Sequence, residues 1–206
     1  MKLYFSPGAC SLAPHIVLHE LGLPFTAVKV DLKSHKLDNG ADYYTVHPKG
    51  YVPVLELDDG TRLSEASVIL QYLADRKPGT LAPAFGDLDR YRHMEWLNFI
   101  ATELHKGFSP LWNADYPQDA RRMTLEKLGK RLGYVEETLA KREFIADDRF
   151  TVADAYLTTI LSWAKFLKID LSPWPAITQY LDRMAKRPSV VEARRMESAE
   201  KTRTQE

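Results

Sequence analysis

The chain is predicted to fold as a small α/β domain followed by an all-helical domain. Short β-like runs alternate with helical patterns over roughly the first eighty residues, whereas helical patterns fill almost all of the remainder. Turn-forming residues in 77–83 separate the two parts, and 206 residues exceed the usual size of one domain. We therefore predict an α/β domain over residues 1–77, a linker over 78–86 and an all-helical domain over 87–206.

The first domain is predicted to have the element order βαβαββα, in which a parallel crossover is followed by a hairpin. Gly22, with Pro24 behind it, ends the first helix. Asp58-Asp59-Gly60 is a strong hairpin signal. In order, the elements are a strand at 2–5, a helix at about 9–21, a strand at 25–31, a short apolar segment opening at Tyr43 and Tyr44, two strands at 52–57 and 62–63, and a helix at 65–75.

The second domain is predicted to contain four amphipathic helices, at about 88–108, 120–141, 152–167 and 176–186. Thr151 and Asp154 resemble a capping box with Asp in place of Glu, so the third of these helices should start abruptly after Phe150. Residues 197–206 are polar, and we expect them to form a frayed end.

Composition excludes several classes of function. The chain has 28 basic and 28 acidic residues, and therefore no charge excess to bind nucleic acid or an anionic membrane. A single cysteine cannot form an internal disulfide, and no apolar run is long enough to span a bilayer, so we expect a cytoplasmic protein. His15 and His19 have no evident third ligand, and we predict no metal site.

Cys10 is the first candidate for chemistry, because it follows a strand and a Pro7-Gly8 turn and is predicted to lie in the first turn of a helix. The thiolate is the reactive form, and a helix N-terminus stabilises negative charge by about one pKa unit at most. A second donor is therefore expected. The alternative is a small buried cysteine that packs like alanine.

Two further segments could hold a peptide-like ligand. A cis Val52-Pro53 bond would leave the backbone of Val52 free to pair with a peptide, whereas an ordinary trans bond is the commoner case. Glu65 and Ala66 begin a helix, so its N–H groups could bind a carboxylate while Glu65 accepts an ammonium. Glu65 could instead simply complement the helix dipole.

A polar stripe in the predicted helix 88–108 is the third candidate. Glu95, Asn98, Thr102 and His105 are spaced i, i+3, i+7 and i+10 and would share one face. Such a stripe usually faces solvent. His105 differs from the others because an imidazole can donate to a thiolate or transfer a proton near neutral pH.

Taken together, the residues resemble beta-class bacterial glutathione S-transferases over almost the whole chain. The resemblance implies a thioredoxin-like domain that binds glutathione and a helical domain that carries the electrophile pocket. It also implies a homodimer. The matching motifs are Tyr4-x-x-Pro7-Gly8-Ala9-Cys10-Ser11-Leu12, Asn98-x-x-x-Thr102-Glu103-Leu104-His105-Lys106 and Phe150-Thr151-Val152-Ala153-Asp154-Ala155-Tyr156.

The resemblance also implies roles for individual residues. Cys10 would contact the glutathione sulfur, Val52 would pair with the tripeptide backbone, and Glu65 with Ala66 would hold the γ-glutamyl end. Two positions depart from the family: His35 stands where a Lys often contacts the glycine carboxylate, and Ala66 where a small hydroxyl residue is common. The helical domain would contribute Asn98, Thr102, Glu103, Leu104 and His105, and some glutathione contacts would cross the subunit boundary.

The reaction implied is conjugation of glutathione to a small apolar electrophile. Either Cys10 stays protonated and donates to the glutathione thiolate, or Cys10 attacks and forms a mixed disulfide that glutathione resolves, since two thiolates in one pocket repel each other. Ser11 is a reserve donor and Tyr4 a more distant one.

Two alternatives to conjugation remain open: glutathione-dependent reductive dehalogenation or isomerisation, and ligand binding without turnover. Phe108, Trp112 and Trp163 are candidates for the electrophile pocket.

Overall fold

The computed structural model describes the backbone of residues 1–202 and the side chains of 1–200. Its contacts divide the described residues into two units, of which the first comprises residues 1–77 and 186–202, and the second residues 78–185. The end of the chain therefore groups with the α/β unit and not with the helical unit, which we predicted as 87–206. The reason is that its last helix packs on the first helix of the α/β unit.

The first unit is built on a five-stranded sheet with the order β3-β2-β1-β4-β5. β1 is parallel to β2 and antiparallel to β4, with Leu3 opposite both Ala27 and Leu55. Strand β1 is central, and three of its four residues are buried. The strands are β1 (Lys2–Phe5), β2 (Thr26–Asp31), β3 (Lys36–Leu37), β4 (Val54–Glu56) and β5 (Arg62–Ser64).

Three helices complete this unit: α1 (Leu12–Leu21), α2 (Ala66–Asp75) and α9 (Pro188–Thr202). The helix predicted between the second strand and the hairpin is absent from residues 32–53, which form the short β3 and a 3₁₀ turn at Tyr43–Thr45. Gly40 and Gly50 have positive φ values there, and such left-handed residues interrupt a helix.

Helix α9 contradicts the prediction that residues 197–206 are frayed, as far as the structure describes them. Glu197 is only 4% exposed, and its carboxylate accepts hydrogen bonds from the Gly8 N–H at 2.8 Å and from His15 Nδ1 at 3.1 Å. Polar residues are expected at the surface, but hydrogen bonds inside the unit satisfy the carboxylate of Glu197. Residues 203–206 lie outside the described range.

The second unit is helical within its described residues. Its helices are α3 (Leu88–Phe99), α4 (Lys106–Phe108), α5 (Gln118–Leu139), α6 (Val152–Leu161), α7 (Trp163–Phe166) and α8 (Pro175–Met184). Every residue of α6 is buried, so this helix forms the centre of the unit. The predicted helix 152–167 is divided at Ser162 into α6 and α7, and the predicted helix 88–108 contains a π-helical segment at Ile100–His105.

The predicted capping box at the start of α6 is confirmed. Asp154 Oδ2 accepts from the N–H and the hydroxyl of Thr151, both at 2.9 Å. Asp154 Oδ1 accepts from the Ile145 N–H at 2.8 Å and from the Tyr180 hydroxyl at 3.1 Å. The carboxyl is fully buried, and burial raises its pKa to about 6 even though these hydrogen bonds lower it.

Candidate functional site

Cys10 lies in a tight turn that precedes α1, not in the first turn of the helix as predicted. Gly8 has a φ of 77°, which directs the chain into this turn, and the Ala9 N–H donates to the Ser6 carbonyl. Helix α1 begins only at Leu12. The N–H groups of Leu12 and Ala13 donate to carbonyls of the turn, at Ala9 and Cys10, so they are engaged within the chain.

The structure brings Cys10 and Val52 together, as the sequence predicted for one ligand site. The thiol of Cys10, which is half-buried, donates to the Val52 carbonyl with a sulfur–oxygen distance of 3.3 Å. A carbonyl oxygen can only accept, so this bond requires a protonated sulfur. The Val52-Pro53 peptide bond is cis, the less common of the two expected forms.

Ser11 is fully buried, and its hydroxyl is engaged in the turn. The Oγ atom accepts from the Ser6 N–H and donates to the Ser6 carbonyl, both at 3.2 Å. The hydroxyl of Tyr4, the other reserve donor, contacts Glu56 Oε2 at 3.3 Å. Both hydroxyls therefore have structural partners inside the unit.

Glu65 and Ala66 lie at the start of α2, as predicted. Glu65 has a φ of 70°, and its carbonyl accepts from the N–H groups of Val68 and Ile69. Its side chain is 64% exposed and forms a 3.1 Å ion pair with Lys49. The pairing with Lys49 was not predicted, and no sequence pattern links two residues on separate loops.

His35 lies beside Tyr44 and Gly50. Its ring centroid is 4.7 Å from that of Tyr44, and its Nδ1 is buried without a hydrogen-bond partner. A Cβ on Gly50 would approach this nitrogen to 2.8 Å, so only glycine fits at that position. His35 also has a positive φ of 52°.

The predicted polar stripe of the helical unit spans two helix types. Asn98 lies near the end of α3, whereas Thr102, Glu103, Leu104 and His105 lie in the π-helical segment. Because a π-helix has more residues per turn than an α-helix, the predicted i+7 and i+10 spacing does not place these residues on one line. Thr102 donates its hydroxyl to the Asn98 carbonyl at 2.9 Å, and Glu103 pairs with Arg131 at 2.5 Å.

His105 belongs to an aromatic cluster. Its Nδ1 lies 2.8 Å from the Tyr156 hydroxyl, and its ring forms a T-shaped contact with Trp163 at a centroid distance of 4.9 Å. Phe108 and Trp112 also contact Trp163, at 6.2 and 5.8 Å. The three side chains that we predicted for the electrophile pocket therefore lie together, and Trp112 is half-exposed.

Comparison with known proteins shows what these elements belong to. Residues 8–76 match the glutathione S-transferase N-terminal domain, and residues 99–188 match the C-terminal domain. Glutathione S-transferase GstA of Escherichia coli O157:H7 is 51% identical over 195 residues, which cover 94% of this chain and 96% of that protein. The chain belongs to the glutathione S-transferase family.

Solved structures refine this assignment. A beta-class glutathione S-transferase from Sphingomonas chungbukensis matches with a TM-score of 0.92 at 45% identity, covering 96% of this chain and 98% of that one. A sphingomonad glutathione S-transferase complexed with glutathione matches with a TM-score of 0.93 at 45% identity, covering 96% and 99%. The predicted family, the two-part fold and glutathione as the co-substrate are confirmed.

Glu95, a member of the predicted polar stripe, lines a cleft in this glutathione transferase. This polar cleft of about 680 Å³ lies in the helical unit, where Asp87, His93, Arg142 and Asp147 are among its lining residues, but no residue predicted to bind glutathione lines it. Among the described side chains, no group of three or more His, Cys, Asp or Glu is placed to hold a metal ion. No helix within the described range has both the length and the apolar character needed to cross a membrane.

Proposed function

We propose that this transferase conjugates glutathione to small apolar electrophiles, with Cys10 acting as a hydrogen-bond donor to the glutathione sulfur. The contact between Cys10 and the Val52 carbonyl carries this proposal, because it joins the residue predicted to bind the sulfur to the one predicted to pair with the tripeptide. Glu65 and Ala66 would hold the γ-glutamyl end in the same unit. The exposed face of Trp112 suits an aromatic electrophile.

In the proposed step, the Cys10 thiol exchanges the Val52 carbonyl for the glutathione sulfur as its hydrogen-bond acceptor. The Val52 carbonyl has two lone pairs and can accept a peptide N–H of glutathione, while the Cys10 S–H turns to the glutathione sulfur. The glutathione thiol gives its proton to solvent water, and the resulting thiolate attacks the electrophilic carbon. A carbon–sulfur bond forms, and the leaving group departs with its electron pair. Cys10 keeps its proton throughout, so two thiolates never share the pocket.

The test is conjugation to 1-chloro-2,4-dinitrobenzene together with retention on immobilised glutathione. We expect the wild-type chain to show both. A Cys10→Ala variant should still be retained, because Val52, Glu65 and Ala66 are intact, but its kcat/KM should fall about tenfold or more, as expected for one lost hydrogen bond to an anion. Absence of both properties from the wild type would favour a non-catalytic binding protein.

A second reaction of the same thiol is proposed for oxidised glutathione. The Cys10 thiolate would attack one sulfur of the disulfide, form a Cys10–glutathione disulfide and release one glutathione thiolate. The chain has one cysteine, so a further glutathione must resolve the adduct. Intact-mass measurement should show one added glutathionyl group that is lost on reduction, with Cys10→Ala as the control, and an unchanged mass of the wild type would refute this reaction.

His35 stands where the family often has a Lys, and this difference can be tested. We propose that His35 reaches the glycine carboxylate of glutathione less effectively than the Lys common in the family, because its ring is held against Tyr44 and Gly50. A His35→Lys variant should lower the KM for glutathione, because a lysine carries its ammonium on a flexible four-carbon stem that can reach a carboxylate. An unchanged or higher KM would contradict this role.

We also propose a homodimer that works in the cytoplasm, where reduced glutathione is available and a chain with one cysteine fits a reducing medium. Light scattering coupled to gel filtration measures the first property, and cell fractionation measures the second. A monomer at micromolar concentration that is fully active would contradict the assignment of any glutathione contact across a subunit boundary.

A further inference from the structure

His105 contacts a buried tyrosine that is not among the predicted site residues. Its Nδ1 lies 2.8 Å from the Tyr156 hydroxyl, and its ring forms a T-shaped contact with Trp163. We propose that Tyr156 is a positioning residue that holds His105 as a neutral imidazole with its proton on Nε2. This inference rests on the proposed conjugation and on the part in the glutathione reaction that the family resemblance implies for His105.

Tyr156 is held rigidly enough for this task. It is 2% exposed and lies in α6, all of whose residues are buried. The closed capping box at Thr151 and Asp154 fixes the start of that helix only two residues before Tyr156. Its hydroxyl therefore has a defined position, next to His105 at the end of the π-helical segment.

The chemistry of the two groups decides the direction of the hydrogen bond. A phenol, with a pKa near 10, is a much stronger acid than the N–H of a neutral imidazole, so the favoured pairing is from the Tyr156 O–H to the Nδ1 lone pair. A neutral imidazole carries one proton, which then resides on Nε2. His105 thus presents an N–H donor at Nε2, the group that stabilises an anionic sulfur.

This tautomer separates two roles that the sequence left open for His105. A general base needs a lone pair on the nitrogen that faces the reacting group, whereas a donor to a thiolate needs a hydrogen there. The Tyr156 contact selects the donor role. His105 would then act as a hydrogen-bond donor and not as a general base.

The decisive measurement is the tautomer of His105 by long-range ¹H–¹⁵N NMR on the full chain. We expect a single Nε2–H form in the wild type and a mixture of both tautomers in Tyr156→Phe, which keeps the ring and removes the hydroxyl. Tyr180→Phe is the matched control, because Tyr180 is another fully buried tyrosine of this unit and its hydroxyl binds Asp154 and Thr158. It should lose stability but leave the His105 tautomer unchanged.

Kinetics test whether the tautomer matters for the reaction. Tyr156→Phe should lower kcat for 1-chloro-2,4-dinitrobenzene about tenfold with little change in either KM, a loss typical of one misplaced hydrogen bond. In a His105→Ala background, Tyr156→Phe should cause no further loss, since Tyr156 acts through His105. Tyr180→Phe should keep the wild-type kcat.

Three results would overturn the inference: a single Nε2–H tautomer that persists in Tyr156→Phe, a Tyr156→Phe effect that remains in the His105→Ala background, or full activity of His105→Ala. The first two leave the proposed conjugation intact. A wild-type chain that conjugates no electrophile would refute the proposed function instead, and the tautomer of Tyr156→Phe would still decide whether Tyr156 holds His105.

Discussion

The N-terminal ends of helices α1 and α6 are capped in different ways. At α6, the Asp154 carboxyl accepts four hydrogen bonds, from Ile145, from two groups of Thr151 and from Tyr180. At α1, the N-cap residue Ser11 makes no side-chain bond to the helix, and its hydroxyl turns back to Ser6. Both starts are buried, but only one is capped by side chains.

The difference reflects what each helix start has to do. The backbone N–H groups at a helix start need acceptors, and a carboxylate cap supplies them with strong hydrogen bonds. A carboxylate in the same position at α1 would place negative charge beside the Cys10 sulfur and oppose an anionic ligand there. The turn before α1 instead uses its own carbonyl groups, and the acidic residue that supports it, Glu197, comes from α9.

The largest effect is expected from removal of the α6 cap. Asp154→Ala should lower the free energy of unfolding by about 4 kcal/mol, because it leaves several buried donors without an acceptor. The measurement is urea unfolding at one fixed protein concentration. Asp87→Ala is the matched control, since Asp87 caps the exposed start of α3 and its loss should cost about 1 kcal/mol. Equal losses would remove the contrast between buried and exposed caps.

The second prediction concerns pH. The folded-state pKa of Asp154, about 6, lies above the ordinary value of 3.8, so the folded protein binds more protons between these values. The contribution of this carboxyl to stability is therefore full below pH 3.8 and is lost as the pH rises through 6. Relative to Asp154→Asn, the wild type should lose up to about 3 kcal/mol from pH 4 to pH 7. A parallel pH dependence of the two proteins would contradict the raised pKa.

Glu197 tests the support of the turn before α1. Glu197→Ala should lower the free energy of unfolding by about 2 kcal/mol, because the Gly8 N–H and His15 Nδ1 lose their buried acceptor. Glu192→Ala, on the same helix, removes a carboxylate whose ion pair with Arg195 is exposed, and should change little. Urea unfolding of both variants gives the comparison, and similar losses would show that the Glu197 contacts add nothing specific.

The smallest effect is expected at Ser11. Ser11→Ala should lower the free energy of unfolding by about 1 kcal/mol, because the two hydrogen bonds that it removes, both with Ser6, are long at 3.2 Å. We expect conjugation of 1-chloro-2,4-dinitrobenzene to persist, because the hydroxyl faces Ser6. A much larger loss of kcat than of stability would make Ser11 a donor to the ligand and would weaken the contrast between the two helix starts.

Most of the fold could be predicted because its signals are local. Alternation of apolar residues, the Asp58-Asp59-Gly60 hairpin and the capping box at Thr151 each depend on a few neighbouring residues. The burial of Glu197 could not be predicted in this way. Its partner His15 is 182 positions away in sequence, and only the folded chain brings the two together.

The site shows the same limit. Cys10 and Val52 could be named because each lies beside a recognisable turn or proline, but their direct contact depends on the sheet that joins the two segments. Lys49 and Tyr156 were not identified as partners of Glu65 and His105 for the same reason. In the helical unit, the polar stripe ending at His105 is predicted from α-helical periodicity, but residues 100–105 form a π-helix. The predicted alignment of these side chains on one face is therefore wrong.

The π-helical segment at Ile100–His105 has a consequence for comparing relatives by sequence. A π-helix commonly arises when one residue is inserted into an α-helix, and deletion of one residue restores the regular helix. A relative with a plain α-helix here would therefore be one residue shorter between the equivalents of Phe99 and Lys106. A sequence alignment without this one-residue gap would pair His105 with the neighbouring position, about 100° away around the helix. The histidine would then count as missing from the relative, although it is only shifted by one residue.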